Sequence, residues 1–474
     1  MSDVQKRRGF DPRLLEGSIV RSLFLLALPI MGANILQVAY QIVDAFWVGR
    51  LGAAAVAAVS ITLPVMFVLI AAGMGFAIAG TTLIAQYTGA RDHKMVDHVA
   101  AQTLLTIVAV SIVLGGLGYL LTPEILHLLG LAPEVRVNAL AFIRIMFLAL
   151  PFLFLYAMVQ ALLRGVGEVR VPLFIVGGTV AINFVLDPIL IFGKFGAPAL
   201  GVTGAAVATM ISQLLAAIVS MRVLFGGRYG IHVRWRDFRP DFAFVKRAFL
   251  LGYPASIEQS ARGLGMTAMV FLVTAFGTVA TASYGVGANV FNVAIIPAMG
   301  LAMATSTLVG QNIGAGNIPR AEEVARLAAI ITFVVLTAFG LLCIIFAPAI
   351  VAFFVPEDAA VIAEGATFIR VALWSAGFIG LQYAMLGVLR AAGEMIPAMA
   401  IGLASQWLIQ LPLAFFLSRH TALGLNGLWW SMPSANVAAA SLASLWFLRG
   451  GWKQKRLIAP VRLQQEAVEE QAQM

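Results

Sequence analysis

Twelve apolar stretches of bilayer-spanning length divide this chain, at approximately 21–48, 54–84, 98–122, 137–162, 171–193, 201–224, 245–275, 279–308, 325–348, 361–388, 395–418 and 425–448. A hydrocarbon core of about 30 Å takes about 20 helical residues to cross. A helix in lipid satisfies its own backbone hydrogen bonds, which a string of isolated apolar strands cannot do. The pattern therefore predicts an all-α polytopic membrane protein of twelve transmembrane helices. Charge content agrees: 11% of residues are charged, against about 25% in a soluble domain. The segment before the first stretch is polar (Lys6, Arg7, Arg8, Asp11, Arg13, Glu16), and that stretch is too long for a signal core. Both features read as a retained span rather than a cleaved signal. A single cysteine, Cys343, excludes a disulfide framework and a Cys-based metal or redox cluster.

The net charge of +9 belongs to the connections between stretches. Basic residues gather in the N-terminal segment, in every even-numbered connection and in the tail. The sixth connection is the richest, with Arg222, Arg228, Arg234, Arg236, Arg239, Lys246 and Arg247. The odd connections hold only Arg50, Arg136, Lys194 and Arg419. The bias toward cytoplasmic Lys and Arg then places both termini in the cytoplasm. The basic balance predicts contact with anionic lipid headgroups and no nucleic-acid partner.

The sequence repeats itself. Pro29 recurs as Pro254, and Gln86-x-x-Gly89 as Gln311-x-x-Gly314. Leu163-Arg164-x-x-Gly167-Glu168 recurs as Leu389-Arg390-x-x-Gly393-Glu394, Pro172 as Pro397, and Leu200-Gly201-x-x-Gly204 as Leu423-Gly424-x-x-Gly427. The offsets run from 223 to 226 residues. A repeat of six spans starts both halves on the same side, so the two six-helix bundles are related by an axis along the membrane normal. The expected organisation is a cytoplasmic N-terminal segment (1–20), a first bundle (21–224), a basic linker (225–244), a second bundle (245–449) and a cytoplasmic tail (450–474).

Polar side chains inside the spans are few and therefore informative. In the first stretch Asn34, Gln37, Gln41 and Asp44 follow steps of three and four, a ridge along one helix face. In the fifth, Asn183 and Asp187 are four apart and stack about 6 Å from each other. Pro188 follows, and a proline frees a carbonyl in the preceding turn. Carboxylate, amide and carbonyl oxygens are what a hard cation coordinates. Thr209 offers a hydroxyl from the sixth stretch. The same carboxylates can carry protons instead, and the residues leave Na⁺ and H⁺ equally open. Shifted by 225, the ridge becomes Gln259, Arg262, Met266 and Met269, and Asp187 falls near Leu411. An ion site would thus belong to one half. Glu258 and Arg262, four apart, read as a local, mainly structural ion pair.

The twelve spans in two halves, with Asp44-Ala-Phe-Trp-Val-Gly49-Arg50-Leu51-Gly52 after the first helix and the paired Gln86/Gln311 and Arg164…Glu168/Arg390…Glu394 elements, resemble the multidrug and toxic compound extrusion (MATE) transporters. The resemblance runs from about residue 15 to 450. It implies a MATE/MOP-type fold and an inner-membrane antiporter that expels organic, often cationic, compounds in exchange for Na⁺ or H⁺, without a cofactor and as a monomer. In the archaeal and DinF-like branch, the cation site looks similar to one built here from Asp44, Asn183, Asp187, Thr209 and the main-chain carbonyl of Ala205. Substrate-cavity candidates are Asn34, Gln37, Gln41, Met266, Met269, Asn289 and Gln382, since amides and adaptable Met side chains suit a promiscuous pocket. A lipid-linked-precursor or polysaccharide flippase of the same superfamily is the nearest rival. An intramembrane enzyme would need a cluster of catalytic His, Cys, Asp or Glu, which the spans lack.

Overall fold

A computed structural model of the chain describes residues 12–128, 133–455 and 457–458; among them every regular element is a helix. The spanning helices are α1 (Ile19–Gly49), α2 (Ala53–Gly89), α3 (His93–Leu128), α4 (Pro133–Val166), α5 (Arg170–Phe192), α6 (Val202–Gly226), α7 (Phe242–Thr274), α8 (Thr278–Gly314) and α9 (Ile318–Ile345). They continue with α10, a pair (Ala359–Leu373 and Ala376–Ala391) bent by 45°, then α11 (Met395–His420) and α12 (Leu425–Leu448). Among the described residues, nine of these helices, and a tenth if the bent pair counts as one span, are individually long and apolar enough to cross a membrane. The other two, α7 and α12, fall short because of their own polar content: Glu258, Gln259 and Arg262 in α7, and Ser431, Ser434 and Asn436 in α12.

The chain divides into two compact units, one running over Gly32–Ser256 and the other combining Pro12–Met31 with the chain from Ile257 onward. The two boundaries, before Gly32 and before Ile257, are 225 residues apart, the offset of the sequence repeat. Each lies two or three residues beyond a helix-interior proline, Pro29 in α1 and Pro254 in α7. Proline removes a backbone donor and loosens the turn before it, so α1 and α7 both change partners where their own hydrogen bonding is weakest.

Within the first unit α4 is the central helix, packed on α2, α3 and α6, and α5 lies on α6. In the second unit α8 packs on α9 and on both segments of α10, and α11 lies on α12. Small residues set the close approaches, as in membrane bundles generally. A Cβ on Gly115 would stand 2.6 Å from the Phe147 carbonyl, and one on Gly340 would stand 2.8 Å from the Leu373 carbonyl. These two contacts are repeat equivalents.

The structure also explains why the repeated motifs contain the residues they do. Gly167 and Gly393 take φ of +91° and +82°, a left-handed turn that ends α4 and α10. In each the next amide closes the turn: Glu168 N–H donates to the Leu163 carbonyl at 2.9 Å and Glu394 N–H to the Leu389 carbonyl at 2.8 Å. The Glu168 carboxylate then accepts from the amides of Arg170 and Val171 and caps α5.

Candidate functional site

The C-terminal half of α1 is held against α5 and α6 by apolar contacts along one face. Ala33 and Leu36 pack with Ile175 and Val176 of α5 and Ala216 of α6. Farther along, the Trp47 ring lies 6.2 Å from Phe184 and 6.1 Å from Phe192, both on α5. The intervening positions on that face, Tyr40 and Asp44, are thereby turned toward α5 and α6. Asp44 stands five residues before the end of α1 and Asp187 five before the end of α5, so both lie at a similar depth, about 8 Å below their helix ends.

The two carboxylates and Tyr40 lie within electrostatic range of one another. The Tyr40 hydroxyl donates to Thr209 Oγ1 at 3.0 Å and also reaches Gln213. Asn183 Nδ2 donates to Asp187 Oδ1 at 3.2 Å. Asn183 and Asp187 are fully buried, and Thr209 and Gln213 nearly so. The structure thus brings Asp44, Asn183, Asp187 and Thr209 together from three helices. Ala205 is buried in the opening turn of α6, one turn before Thr209.

What distinguishes the cluster is what its oxygens lack. Asp44 Oδ1, Asn183 Oδ1, Asp187 Oδ2 and Gln213 Oε1 are buried and accept no hydrogen bond from the described residues. A buried acceptor without a donor costs roughly 1–3 kcal/mol, more when charged. These four lie in one unit, on α1, α5 and α6, and oxygens of these kinds are what a hard cation coordinates. No group of three or more His, Cys, Asp or Glu that could hold a metal lies among the described residues, this cluster with its two carboxylates included.

Other sequence expectations change in the structure. The polar ridge of α1 is split: Asn34 and Asp44 are half-buried, Asp44 on the face of buried Tyr40, while Gln37 and Gln41 are exposed. The reason is that apolar anchors at Ala33, Leu36 and Trp47 choose the rotation of the helix, and the ridge follows. Tyr40 and Gln213 were not singled out by sequence, although each sits one helical turn from a candidate, Asp44 and Thr209. Helix α5 runs to Phe192, as the fifth stretch (171–193) predicts, so Pro188 costs it one internal hydrogen bond without stopping it.

In the second unit a cavity of about 440 Å³ is lined by residues from α7, α8, α10, α11 and α12. Met266, Met269 and Gln382 face it; Asn289 does not, being exposed and bonded through Nδ2 to the Gly285 carbonyl at 3.1 Å. Asn292, one turn further on, takes its place in the lining. The expected local ion pair of Glu258 and Arg262 is present at 3.6 Å, too long for a hydrogen bond. The strong partner of Glu258 is Arg390, whose Nη2 reaches both carboxylate oxygens at 2.7 and 2.8 Å. Sequence spacing favours neighbours four apart on one helix, whereas this pair joins α7 to α10.

A two-unit all-α bundle with a buried oxygen cluster in one unit and a mixed polar and aromatic cavity in the other defines a multi-pass membrane transporter. The MatE family model matches residues 29–189 and 254–416. The "probable multidrug resistance protein YoeA" of Bacillus subtilis (strain 168) is 32% identical over 445 residues, covering 93% of this chain and 96% of that protein. The "probable multidrug resistance protein NorM" of Thermotoga maritima is 29% identical over 97% of this chain and 98% of its own. Among solved structures, one described as the outward-facing conformation of a multidrug resistance MATE family transporter of the MOP superfamily matches with a TM-score of 0.84 at 25% identity, covering 94% of this chain and 98% of that one. A MATE structure in complex with MaL6 matches with a TM-score of 0.87 at 24% identity, covering 94% and 99%, and supports the fold. The chain belongs to the MatE family and has the MATE/MOP-type transporter fold.

Proposed function

We propose that the protein is a secondary active exporter of small organic molecules, driven by inward movement of Na⁺ or H⁺ through the cluster of Asp44, Asn183, Asp187 and Thr209. The observation that carries the reading is the set of buried, donor-less oxygens on α1, α5 and α6. An incoming cation satisfies Asp44 Oδ1, Asn183 Oδ1 and Asp187 Oδ2 at once; a proton does so more narrowly, by turning one carboxylate into a donor. In either case occupancy favours the arrangement in which the outer half of α1 is drawn onto α5 and α6. A ligand shifts a two-state equilibrium only through such differential binding. The site opens to one side of the membrane at a time, and ion entry resets the transporter after drug release. The carbonyl of Ala205 completes the oxygen set, and the exposed amides Gln37 and Gln41 face the drug. The halves 21–224 and 245–449 act as the two lobes of a monomer in a bacterial inner membrane, with both termini cytoplasmic.

The test is export of a fluorescent organic cation from vesicles under an imposed Na⁺ or proton gradient. Asp44→Asn and Asp187→Asn should each abolish gradient-driven export while the protein still reaches the membrane. Normal export by both variants sinks the site; a lack of response to either gradient in the unmodified protein sinks the antiporter reading.

A further inference from the structure

We propose that the cavity of the second unit binds an organic ligand bearing a carboxylate or similar acidic group on an aromatic or apolar body, an anion or a zwitterion, rather than a simple organic cation. The proposal rests on the exporter reading only for what happens to the ligand afterwards; binding itself is read without transport.

Charge at the cavity wall sets the preference. Glu258 and Arg262 are the acidic and basic residues of the cavity lining. Glu258 is 2% exposed, and both its oxygens are taken by Arg390. At 3.6 Å, Arg262 Nη2 is too far from Glu258 Oε1 for a hydrogen bond. One carboxylate is therefore shared between two guanidinium groups, and the excess positive charge lies on Arg262, at the cavity wall. Nη1 of Arg262 donates to the Tyr383 hydroxyl, a neutral partner. A partly buried guanidinium whose partners are one neutral hydroxyl and one distant, already engaged carboxylate is completed by an anion. Arg offers a carboxylate two parallel donors, and such charge-assisted pairs are about twice as strong as neutral ones. An organic cation at the same place meets like charge, with Glu258 occupied elsewhere.

The remaining walls fit the rest of such a ligand. Phe291, Phe368 and Trp407 supply aromatic surface, and Met266, Met269 and Met432 adapt to its shape. Asn292, Gln382 and Gln410 line the space and make no side-chain hydrogen bond among the described residues, so their amides are available to a polar substituent. The π-helical turn at Ala404–Gln410 concentrates these groups: four of its seven residues, Ser405, Gln406, Trp407 and Gln410, face the cavity. The turn forms because Pro412 cannot donate to the carbonyl of Leu408, and the Leu411 amide bonds instead to Gln406, five residues back. At 440 Å³ the space is in the range of small-molecule sites.

The experiment is calorimetric titration of the purified full chain in detergent with two isosteric probes of opposite charge, 2-naphthoate and 2-naphthylmethylammonium, with no ion gradient. The unmodified protein should bind the naphthoate about tenfold or more tighter than the ammonium probe. Arg262→Gln should remove that preference. Gln382→Glu, nearly isosteric and outside the Glu258–Arg390 pair, should invert it, and so keeps the test informative if Arg262→Gln fails to fold. Tighter binding of the ammonium probe to the unmodified protein overturns the proposal, as does a naphthoate affinity unchanged in both variants. Failure of the vesicle test with an intact naphthoate preference instead removes the ion-site reading and leaves this one standing.

Discussion

Removing the charge of Glu258 without changing its shape should destabilise the second unit more than any exposed ion-pair substitution. In Glu258→Gln, Arg390 and Arg262, whose side chains are only 21% and 24% exposed, lose their carboxylate. Breaking a buried pair from one side costs about 3–5 kcal/mol, because the surviving charge stays desolvated. Here two guanidinium groups survive, so the upper part of that range applies. The reverse change, Arg390→Met, should cost less, since Arg262 stands 3.6 Å away and can close on Glu258. The protein contains its own probe: Cys343, its single cysteine, is buried on α9 in the core of the second unit. A thiol-reactive fluorogenic dye therefore reports unfolding of that core on heating. For a chain of this size, at about 2 °C per kcal/mol, Glu258→Gln should lower the apparent Tm by about 8–10 °C. The double variant Glu258→Gln/Arg390→Met should lose less than the sum of the singles, the signature of a direct interaction. A Tm within about 1 °C of the unmodified protein for Glu258→Gln, or strictly additive losses, would refute the reasoning. The exposed pair of Arg326 and Glu322 is the control; its loss should cost under about 1 kcal/mol.

Three further outcomes follow from the same structure. Gly340→Ala places a Cβ 2.8 Å from the Leu373 carbonyl and should cost about 1–3 kcal/mol, whereas Gly116→Ala, with no neighbour within 4 Å, should be neutral; the same dye assay compares them. Tyr40→Phe removes the hydroxyl bonded to Thr209 and should weaken ion-driven export about fivefold, the equivalent of one hydrogen bond of about 1 kcal/mol, with expression unchanged. In the linker, the amide of Phe244, followed by His98, holds the Asp241 carboxyl below the usual carboxylate range. A depressed acid stabilises the fold above its unfolded value and loses that contribution as pH falls through its folded value. The protection factors of the Phe244 and Val245 amides, which Asp241 caps through its carboxylate and carbonyl, should fall on acidification relative to the intrinsic exchange rate at each pH, and Asp241→Ala should abolish that pH dependence.

The class of fold was legible in the order of residues alone. Spanning length is a property of consecutive residues, and the repeat is visible as a fixed offset, so twelve helices in two related halves needed no coordinates. Asp44, Asn183 and Asp187 were equally conspicuous, because a carboxylate in an apolar run is rare enough to notice. Which face of each helix is used emerged only from packing. A helix repeats every 3.6 residues, and several faces of α1 are almost equally apolar; packing of Leu36 and Trp47 on α5 selected the face that buries Tyr40 and half-buries Asp44, and left Gln37 and Gln41 exposed. Partners distant in the chain were equally hidden. Glu258 bonds most closely to Arg390, 132 residues away, and only at longer range to the neighbour at i+4. The π-helical turn of α11 could be suspected at Pro412, yet which residues it aims into the cavity depends on α7 and α12 beside it. Local spacing determines which side chains can share a face; the helices that pack there determine which of them meet.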